Sequence, residues 1–363
     1  MSKQALYRIR EKIDALDEQI QTLITQRAIC AEQVAEAKRA EVGKGDDLEC
    51  YRPAREAEVL KKVIQRNQGP LKDQELTLVF QEIMSACRRI QRALRIAFLG
   101  PEGTFTQMAT FKHFGHSIHA SPESTIEEVF RSVSLEHADF GVIPIENSIE
   151  GSVTHAVDQF ANHAVKICGE VQLPIHHCLL SQESSLAEIT RVYAHQQAFS
   201  QCKKWLQQYL PDAERVAVSS NAEGAVIASQ TRSAAAIACE GAAELYALAC
   251  LERNIEDDVN NTTRFLVIGQ KDSEPTGEDK TSLLLSAPNR PGSLYQLLQP
   301  FARHDISMTR IESRPSRVIN WEYVFFIDIR GHHTDNNVAS ALGELQETAS
   351  FFKLLGSYPC RVH

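Results

Sequence analysis

A heptad seam opens the chain. Leu6, Ile9, Ile13, Leu16, Ile20, Leu23, Arg27, Cys30, Val34 and Ala37 recur at spacings of three and four. Sustained over about four repeats, that period predicts a long helix that must bury its stripe on other helices. A Gly/Asp-rich break at Gly43 to Asp47 ends it, Pro53 sits well at the start of a second helix, and a third runs from about Leu71 to Leu94. Residues 1 to about 92 therefore read as helix throughout. One seam position is a charge, Arg27, which needs an anionic partner if buried. Arg10 and Lys38 share a heptad letter beside the seam but stand roughly 42 Å apart along the helix. No small ligand touches both in one chain. If two such helices pack antiparallel in a dimer, Arg10 of one chain meets Lys38 of the other, giving two equivalent cationic pockets.

Residues 95 to about 270 change character. Short β-rich runs (Arg95 to Leu99, Phe140 to Pro144, Val165 to Val171, Ala234 to Cys239, Phe265 to Gly269) alternate with helical stretches, the pattern of parallel α/β units. Their length predicts two lobes with a cleft between them. Lys271 to Lys280 is polar, contains Pro275 and Gly277, and reads as a linker that leaves the following domain free to reorient. Strand (Ser282 to Ala287), helix (Gly292 to Arg303), strand (Ile306 to Arg314), strand (Glu322 to Arg330), helix (Asn336 to Thr348) and strand (Phe351 to Gly356) then follow, an α+β, ferredoxin-like order.

Composition narrows the function classes. The 363 residues carry a net charge of −9 with no basic block, which argues against nucleic acid or an anionic membrane as partner. Met1-Ser2-Lys3-Gln4 leads directly into an amphipathic helix, so no signal peptide is expected, and no apolar run is long enough to span a bilayer. The nine cysteines are scattered without a Cys-x-x-Cys, which suits reduced thiols in a cytoplasm. His176-His177-Cys178 and His332-His333 invite a metal reading, but adjacent residues on a strand point apart, so no metal is expected.

The charges of the helical region carry a resemblance. Tyr7-Arg8-Ile9-Arg10-Glu11-Lys12-Ile13-Asp14, Arg27, Lys38, Tyr51-Arg52-Pro53-Ala54-Arg55-Glu56 and Gln91 resemble the all-helical chorismate mutase family. The resemblance implies an intertwined homodimer that converts chorismate to prephenate by a Claisen rearrangement. It implies that Arg27, Arg55 and the partner chain's Arg10 hold the carboxylates. Lys38 and Gln91 would donate to the breaking ether oxygen, and Glu56 would accept from the ring hydroxyl. Such a pericyclic step needs only a clamped conformer and charge stabilisation at the breaking bond. Two positions depart from the pattern: Arg52 stands where some relatives have an acid, and Cys87 where some have a serine.

In the middle region, Arg95-Ile-Ala-Phe-Leu-Gly-Pro-Glu-Gly-Thr-Phe-Thr106 is a strand, a tight loop and a helix start. Gly100 and Gly103 admit close backbone approach, and Thr104 and Thr106 bring hydroxyls near a helix N-terminus. It is neither Gly-x-Gly-x-x-Gly nor a P-loop, so no nucleotide site is expected. Gly141-Val-Ile-Pro-Ile-Glu-Asn-Ser-Ile-Glu-Gly-Ser152 puts Glu146 and Asn147 at the end of a buried strand, where open α/β sheets face their ligands. Asn260-Asn261-Thr262-Thr263-Arg264-Phe265 crowds two hydroxyls, two amides and a guanidinium at the start of another. Arg can hold a carboxylate bidentately and Thr can hydrogen-bond a departing oxygen. With Gln201 and Ser219-Ser-Asn-Ala222, these segments occur in the order that resembles prephenate dehydratase.

That resemblance implies a two-lobed, periplasmic-binding-protein-like domain that converts prephenate to phenylpyruvate without a cofactor. Loss of CO2 pushes electrons through the ring and expels the hydroxyl. Thr263 is the expected donor to that hydroxyl, Arg264 an anchor for a carboxylate, and Thr104, Asn147, Gln201 and Phe265 are expected at the cleft. Glu146 would serve as an acid only if burial raised its pKa. Ala194-His195-Gln196-Gln197 stands where relatives often have Ser-His-Pro-Gln, so one hydroxyl is missing.

Finally, Pro288-Asn-Arg-Pro-Gly-Ser-Leu294 and Arg310-Ile-Glu-Ser-Arg-Pro315 resemble two loops of the ACT domains attached to prephenate dehydratases. This implies that phenylalanine binds between paired domains, at Asn289, Pro291, Gly292, Ser293, Leu294, Glu312, Ser313, Arg314 and Pro315. The whole chain thus resembles the bifunctional chorismate mutase–prephenate dehydratases of phenylalanine biosynthesis. Two alternatives remain: a two-lobed ligand-binding or regulatory protein with an inactive cleft, and a chain that keeps only the mutase activity.

Overall fold

The computed structural model describes residues 3–41, 51–288, 290–315 and 323–360. Helix α1 (Lys3–Glu41) runs unbroken for 39 residues. Helices α2 (Pro53–Arg66) and α3 (Asp73–Gln91) follow and pack on each other, with α3 also against α1. Toward the C-terminal end of α1, Ala35 beside the stripe is buried and Arg39 donates to the Gln91 carbonyl (3.3 Å), while Val34 of the stripe is 48% exposed. Upstream, Leu6, Ile9, Ile13, Leu16, Ile20 and Leu23 are 46 to 63% exposed.

The first lobe contains β1 (Arg95–Leu99), α4 (Phe105–Phe114), β2 (His119–Glu123), α5 (Ile126–Ser134), β3 (Phe140–Asn147), β4 (Gly151–Ser152), α6 (Thr154–Asn162) and β5 (Lys166–Pro174). The chain then crosses to the second lobe. There it forms β6 (Cys178–Ser181), β7 (Arg191–Ala194), α7 (Gln196–Gln201), α8 (Lys203–Tyr209), β8 (Glu214–Ala217), α9 (Asn221–Ala228), β9 (Ala234–Ala238), α10 (Glu240–Leu245) and β10 (Ala249–Glu252). It returns to the first lobe as β11 (Thr262–Gly269). The first sheet has the order β2-β1-β3-β11-β5, with the β3–β4 pair off this path, and the second has the order β10-β6-β9-β7-β8.

Neither sheet is uniformly parallel, contrary to the expectation from the sequence. β11 runs antiparallel to both β3 and β5. The reason is the route: β11 re-enters from the cleft, where β3 ends, and so must run the other way. The strands that the sequence did not reveal (β2, β4, β6, β7, β8 and β10) are two to five residues long, too short to show a period of two.

The last domain comprises β12 (Asp279–Ala287), α11 (Ser293–Arg303), β13 (Met308–Pro315), β14 (Tyr323–Arg330), α12 (Asn336–Thr348) and β15 (Phe351–Pro359). Its antiparallel sheet has the order β13-β14-β12-β15, the ferredoxin-like arrangement. Alternating residues of β12 face opposite sides. Leu283 and Leu285 pack under α11 and α12 with Leu297, Phe301 and Leu345. Leu284, with Phe326, Leu355 and Tyr358, joins Phe130, Ile143, Phe160 and Leu266 of the first lobe in one core. β15 approaches β5 so closely that a Cβ on Gly356 would collide with the Ile167 carbonyl.

This packing corrects the expectation of a freely tethered domain. The open face of the sheet is a buried interface, and the end of the linker forms a hydrogen-bonded turn. Asp279 accepts from the Thr276 amide and hydroxyl (2.7 Å each) and from the Gly277 amide (3.1 Å). A polar network crosses the same interface. Arg264, 9% exposed, donates to Glu170 (2.8 Å), Asp328 (2.6 Å) and the Tyr358 hydroxyl (3.0 Å). Lys280 also reaches Glu170 (2.7 Å), and Ser282 bonds both Asp328 (2.5 Å) and Tyr358 (2.9 Å). Two cations thus face two carboxylates. Burial alone would disfavour the guanidinium charge, but Tyr358, Asp328 and Glu170 more than offset it and hold the Arg264 pKa above its ordinary value.

Removing Arg264 would strand the buried Asp328 carboxylate and leave Glu170 with Lys280 alone. Arg264→Ala should therefore lower unfolding stability by about 3–5 kcal/mol, read by urea titration. A loss within about 0.5 kcal/mol would mean that the network is solvated and structurally idle.

Candidate functional site

The register of β3 and β11 sets the geometry of the cleft. Thr263 pairs with Asn147 and Arg264 with Glu146. Successive side chains on a strand point to opposite faces. Asn147 and Thr263 therefore share one face, while Glu146 and Arg264 share the other.

Asn147 is buried, and all its polar atoms are engaged. Its Oδ1 accepts from the amides of Ile149 (3.0 Å) and Glu150 (3.1 Å). That assigns the amide, so Nδ2 must be the donor to Thr263 Oγ1 (2.9 Å) and Asn261 Oδ1 (2.8 Å). Thr263 Oγ1 thus accepts from Asn147, and among the described residues no acceptor takes its own proton. The hydroxyl is held as a donor with a free hydrogen. Asn261 is buried, and its Nδ2 has no partner among the described residues.

From the second lobe, Gln201 approaches the same region. Its Nε2 donates to Glu150 of the first lobe (3.0 Å), and its Oε1 pairs with His177 Nε2 (2.7 Å). Both passages between the lobes are close by and joined. The His177 carbonyl accepts from Ile255, and Glu256 binds His176 Nδ1 (2.7 Å) and the His177 amide (2.8 Å). Ala194 is fully buried at the end of β7, and the following His195 caps α7, its amide held by Asn221 Oδ1 (2.8 Å).

Three expected cleft residues are placed elsewhere, and a fourth has its hydroxyl engaged within its own loop. Arg264 is consumed by the buried network described above, because strand alternation turns it away from Thr263. Glu146 lies on that same far face, 3.9 Å from Arg264 and 3.4 Å from Arg310, with its side chain 41% exposed. Phe265 follows a bulge in β11 and is 2% exposed in the core with Phe98 and Val142. Thr104 caps α4, accepting from Gln107 (3.4 Å) and donating to the Pro101 carbonyl (3.0 Å), so its hydroxyl serves the loop.

In the helical region, Glu56 points inward and pairs with Arg88 (2.7 Å). Burial raises its pKa, against the opposing charges of Arg88 and Arg27. Arg27 thus finds its anionic influence in Glu56. Arg88 had no place in the sequence reading; it is 7% exposed, donates to the Phe114 carbonyl (2.6 Å) and covers the Tyr51 ring. Nothing in its local sequence separates it from its exposed neighbour Arg89. Arg52 and Arg55 are exposed and line a surface groove with Lys61 and Glu278, and Arg55 pairs with Glu58 (2.5 Å). The chain by itself therefore does not gather Arg52 and Arg55 with Glu56. Cys87 is buried on α3, Gln91 is half-buried at its end, and Lys38 and Arg10 lie far apart on α1. A cavity of about 420 Å³ lies between these helices and β5, lined by Glu56, Gln81, Lys112 and Gln172, with Thr262 at its edge.

In the last domain, Ala287 pairs with Tyr323, and Tyr323 with Pro315. The loop after β12 and the end of β13 therefore share one end of the sheet. Asn289 lies outside the described residues. Gly292 has φ +82° with open space around it, Pro291 and Leu294 are exposed, and the Ser293 hydroxyl is buried without a partner among the described residues. Strand alternation divides the other segment. Glu312 and Arg314 turn toward the first lobe: Glu312 binds the Ser152 hydroxyl and Arg310 (2.6 Å), and Arg314 binds the Thr154 carbonyl and Asp158 (3.1 Å). Ser313 and Pro315 face the opposite, exposed side.

No group of three His, Cys, Asp or Glu side chains among the described residues is arranged to hold a metal. His332 and His333 sit in a turn, not a strand, and their rings lie 4.3 Å apart. No helix among the described residues is long and apolar enough to cross a membrane.

Comparison with known proteins matches the family models "Chorismate mutase type II" over residues 9–92, "Prephenate dehydratase" over 96–273 and "ACT domain" over 281–347. A bifunctional chorismate mutase/prephenate dehydratase of Stutzerimonas stutzeri is 50% identical over 352 residues, spanning 97% of this chain and 96% of that protein. Its counterpart in Pseudomonas aeruginosa is 49% identical over the same shares. A crystal structure of a prephenate dehydratase from Arthrobacter aurescens in complex with L-Phe is 34% identical, covers 73% of this chain and 89% of that one, and superposes with a TM-score of 0.68. Helical bundle, two-lobed cleft and ferredoxin-like domain, matched in order and over nearly the full length, make this chain a member of the bifunctional chorismate mutase/prephenate dehydratase family.

Proposed function

We propose that this protein converts chorismate to prephenate in residues 1–92 and prephenate to phenylpyruvate in residues 95–271, under control of phenylalanine bound at residues 281–360, within the cytoplasm. The observation that carries the dehydratase reading is the Thr263 hydroxyl, oriented by Asn147 with its proton free. Loss of the carboxylate on the quaternary ring carbon as CO2 sends an electron pair into the ring, and the para hydroxyl leaves with a proton as water. A threonine is far too weak an acid to protonate it outright. It donates a hydrogen bond that strengthens as charge develops on the leaving oxygen. Asn261 and Gln201 supply neutral amide donors for the substrate's carboxylates. Incubating the pure protein with chorismate, and following its loss and the appearance of phenylpyruvate, tests both activities at once.

Thr263→Ala should lower dehydratase kcat by about 10²- to 10³-fold with a smaller change in KM, as for loss of a donor aimed at developing charge. Mutase turnover in the same preparation reports whether the variant is folded. An unchanged dehydratase kcat in a variant with intact mutase turnover would refute the assignment.

The mutase reading includes a homodimer. Its support is the exposed stripe from Leu6 to Leu23 together with the separation of Arg10 and Lys38 along one straight helix. A second α1 laid antiparallel would cover the stripe and bring one chain's Arg10 to the other's Lys38. Arg10→Ala and Lys38→Ala, each inactive alone, should regain mutase activity when co-refolded, because one pocket of the mixed dimer has both residues. Verified heterodimers without activity would exclude a shared site.

Phenylalanine is read as the effector from the shared sheet end of Pro291 to Leu294 and β13. Titration calorimetry should show it binding at millimolar or lower concentration with inhibition of the dehydratase. Neither binding nor inhibition at that level would leave the domain a structural one.

A further inference from the structure

His177 stands out in the sequence only as part of a possible metal pair, and no function described so far uses it. It lies on the passage from β5 to β6, one of the two by which the chain crosses between lobes. Its backbone joins that passage to the other, through Ile255 and Glu256 (2.8 Å). Its ring is 2% exposed. The edge of Phe105, from the first lobe, packs against it at 5.5 Å between ring centres. Nε2 is 2.7 Å from Gln201 Oε1, while Nδ1 is buried with no partner among the described residues.

These contacts determine the tautomer. A proton on Nδ1 would bury an unpaired donor. A bare Nε2 would face the carbonyl oxygen of Gln201, acceptor against acceptor. The ring is therefore neutral with its hydrogen on Nε2, donating to Gln201. Burial lowers its pKa, with Gln201 and Glu256 opposing, which keeps it neutral. The consequence falls on Gln201. With Oε1 taken by His177, its NH2 must point the other way, where it meets Glu150 of the opposite lobe (3.0 Å).

We propose that His177 is a positioning residue for the dehydratase: it locks the Gln201 amide so that an NH2 donor, not a carbonyl oxygen, meets a substrate carboxylate entering between the lobes. Glu150 holds that donor until the substrate's carboxylate displaces it. Without His177 the amide is free to flip and offer an oxygen to an anion. This inference rests on the dehydratase reading.

The contact forms with bound substrate and persists in the transition state, so its loss appears in KM and not in kcat. The test compares His177→Leu, His177→Gln, Gln201→Leu and the double variant His177→Leu/Gln201→Leu in the full chain. Prephenate is the substrate, and mutase activity is the folding control. His177→Leu should raise KM roughly tenfold to a hundredfold, as for a hydrogen bond to a charged group. His177→Gln, whose amide nitrogen can take the place of Nε2, should stay within about threefold of the unmodified enzyme. The double variant should match Gln201→Leu alone, because His177 acts only through that residue. Additive losses, an unchanged KM in His177→Leu, or no rescue by His177→Gln would overturn the proposal. Should His177→Leu not fold, His177→Gln against Gln201→Leu decides: near-native KM in the first with raised KM in the second supports it, and equal KM values overturn it. An unmodified enzyme that leaves prephenate intact would overturn the dehydratase reading, and this inference with it.

Discussion

The buried charge network around Arg264 is the constraint on which the rest of the architecture depends. One guanidinium, on the strand that returns from the second lobe, binds Glu170 of the neighbouring strand and Asp328 and Tyr358 of the last domain. Such a cluster is favourable only when every charge is matched, and here Arg264 and Lys280 match Glu170 and Asp328. The five strands that provide these residues, β5, β11, β12, β14 and β15, are thereby held in one arrangement. Around them the apolar face of the last sheet closes over the first lobe.

The residue before Arg264 is Thr263, and the pleat turns it to the cleft. A single strand thus has its structural cation on one face and its candidate hydrogen-bond donor on the other. Asn147 mirrors this on β3, with Glu146 behind it toward Arg264 and Arg310. Any displacement of β11 moves both faces together. The position of the Thr263 hydroxyl therefore depends on the seating of the last domain, through backbone that is only one residue long.

That geometry bears on control by an effector. A ligand shifts an equilibrium only through different affinity for its two states, and coupling of this kind is typically worth about 1–3 kcal/mol. Here the sheet that would bind the effector also extends Arg310, Glu312 and Arg314 to Ser152, Thr154 and Asp158 of the first lobe. A change at its edge is transmitted by ion pairs and a shared core, not by a slack tether.

The sequence by itself determined the elements whose periodicity is local. The seam of α1 predicted one long helix, because a stripe repeating every three or four residues has only one regular solution. The βαββαβ order of the last domain was readable for the same reason. It also marked the Asn147 and Thr263 segments, since clustered polar side chains at strand ends are unusual. What only the tertiary structure decided is where each side chain of those segments points and what it meets. Arg264 and Phe265 adjoin Thr263 in the chain, yet one serves a buried network and the other a core. His177 and Arg88 look unremarkable beside their neighbours until Gln201 and Glu56 are brought to them. The packing of the last sheet on the first lobe was hidden because β12 is apolar on both faces, and an unbroken apolar run does not say what covers each side. Pairing between residues far apart in the chain leaves no local signature, and the candidate sites are made of such pairs.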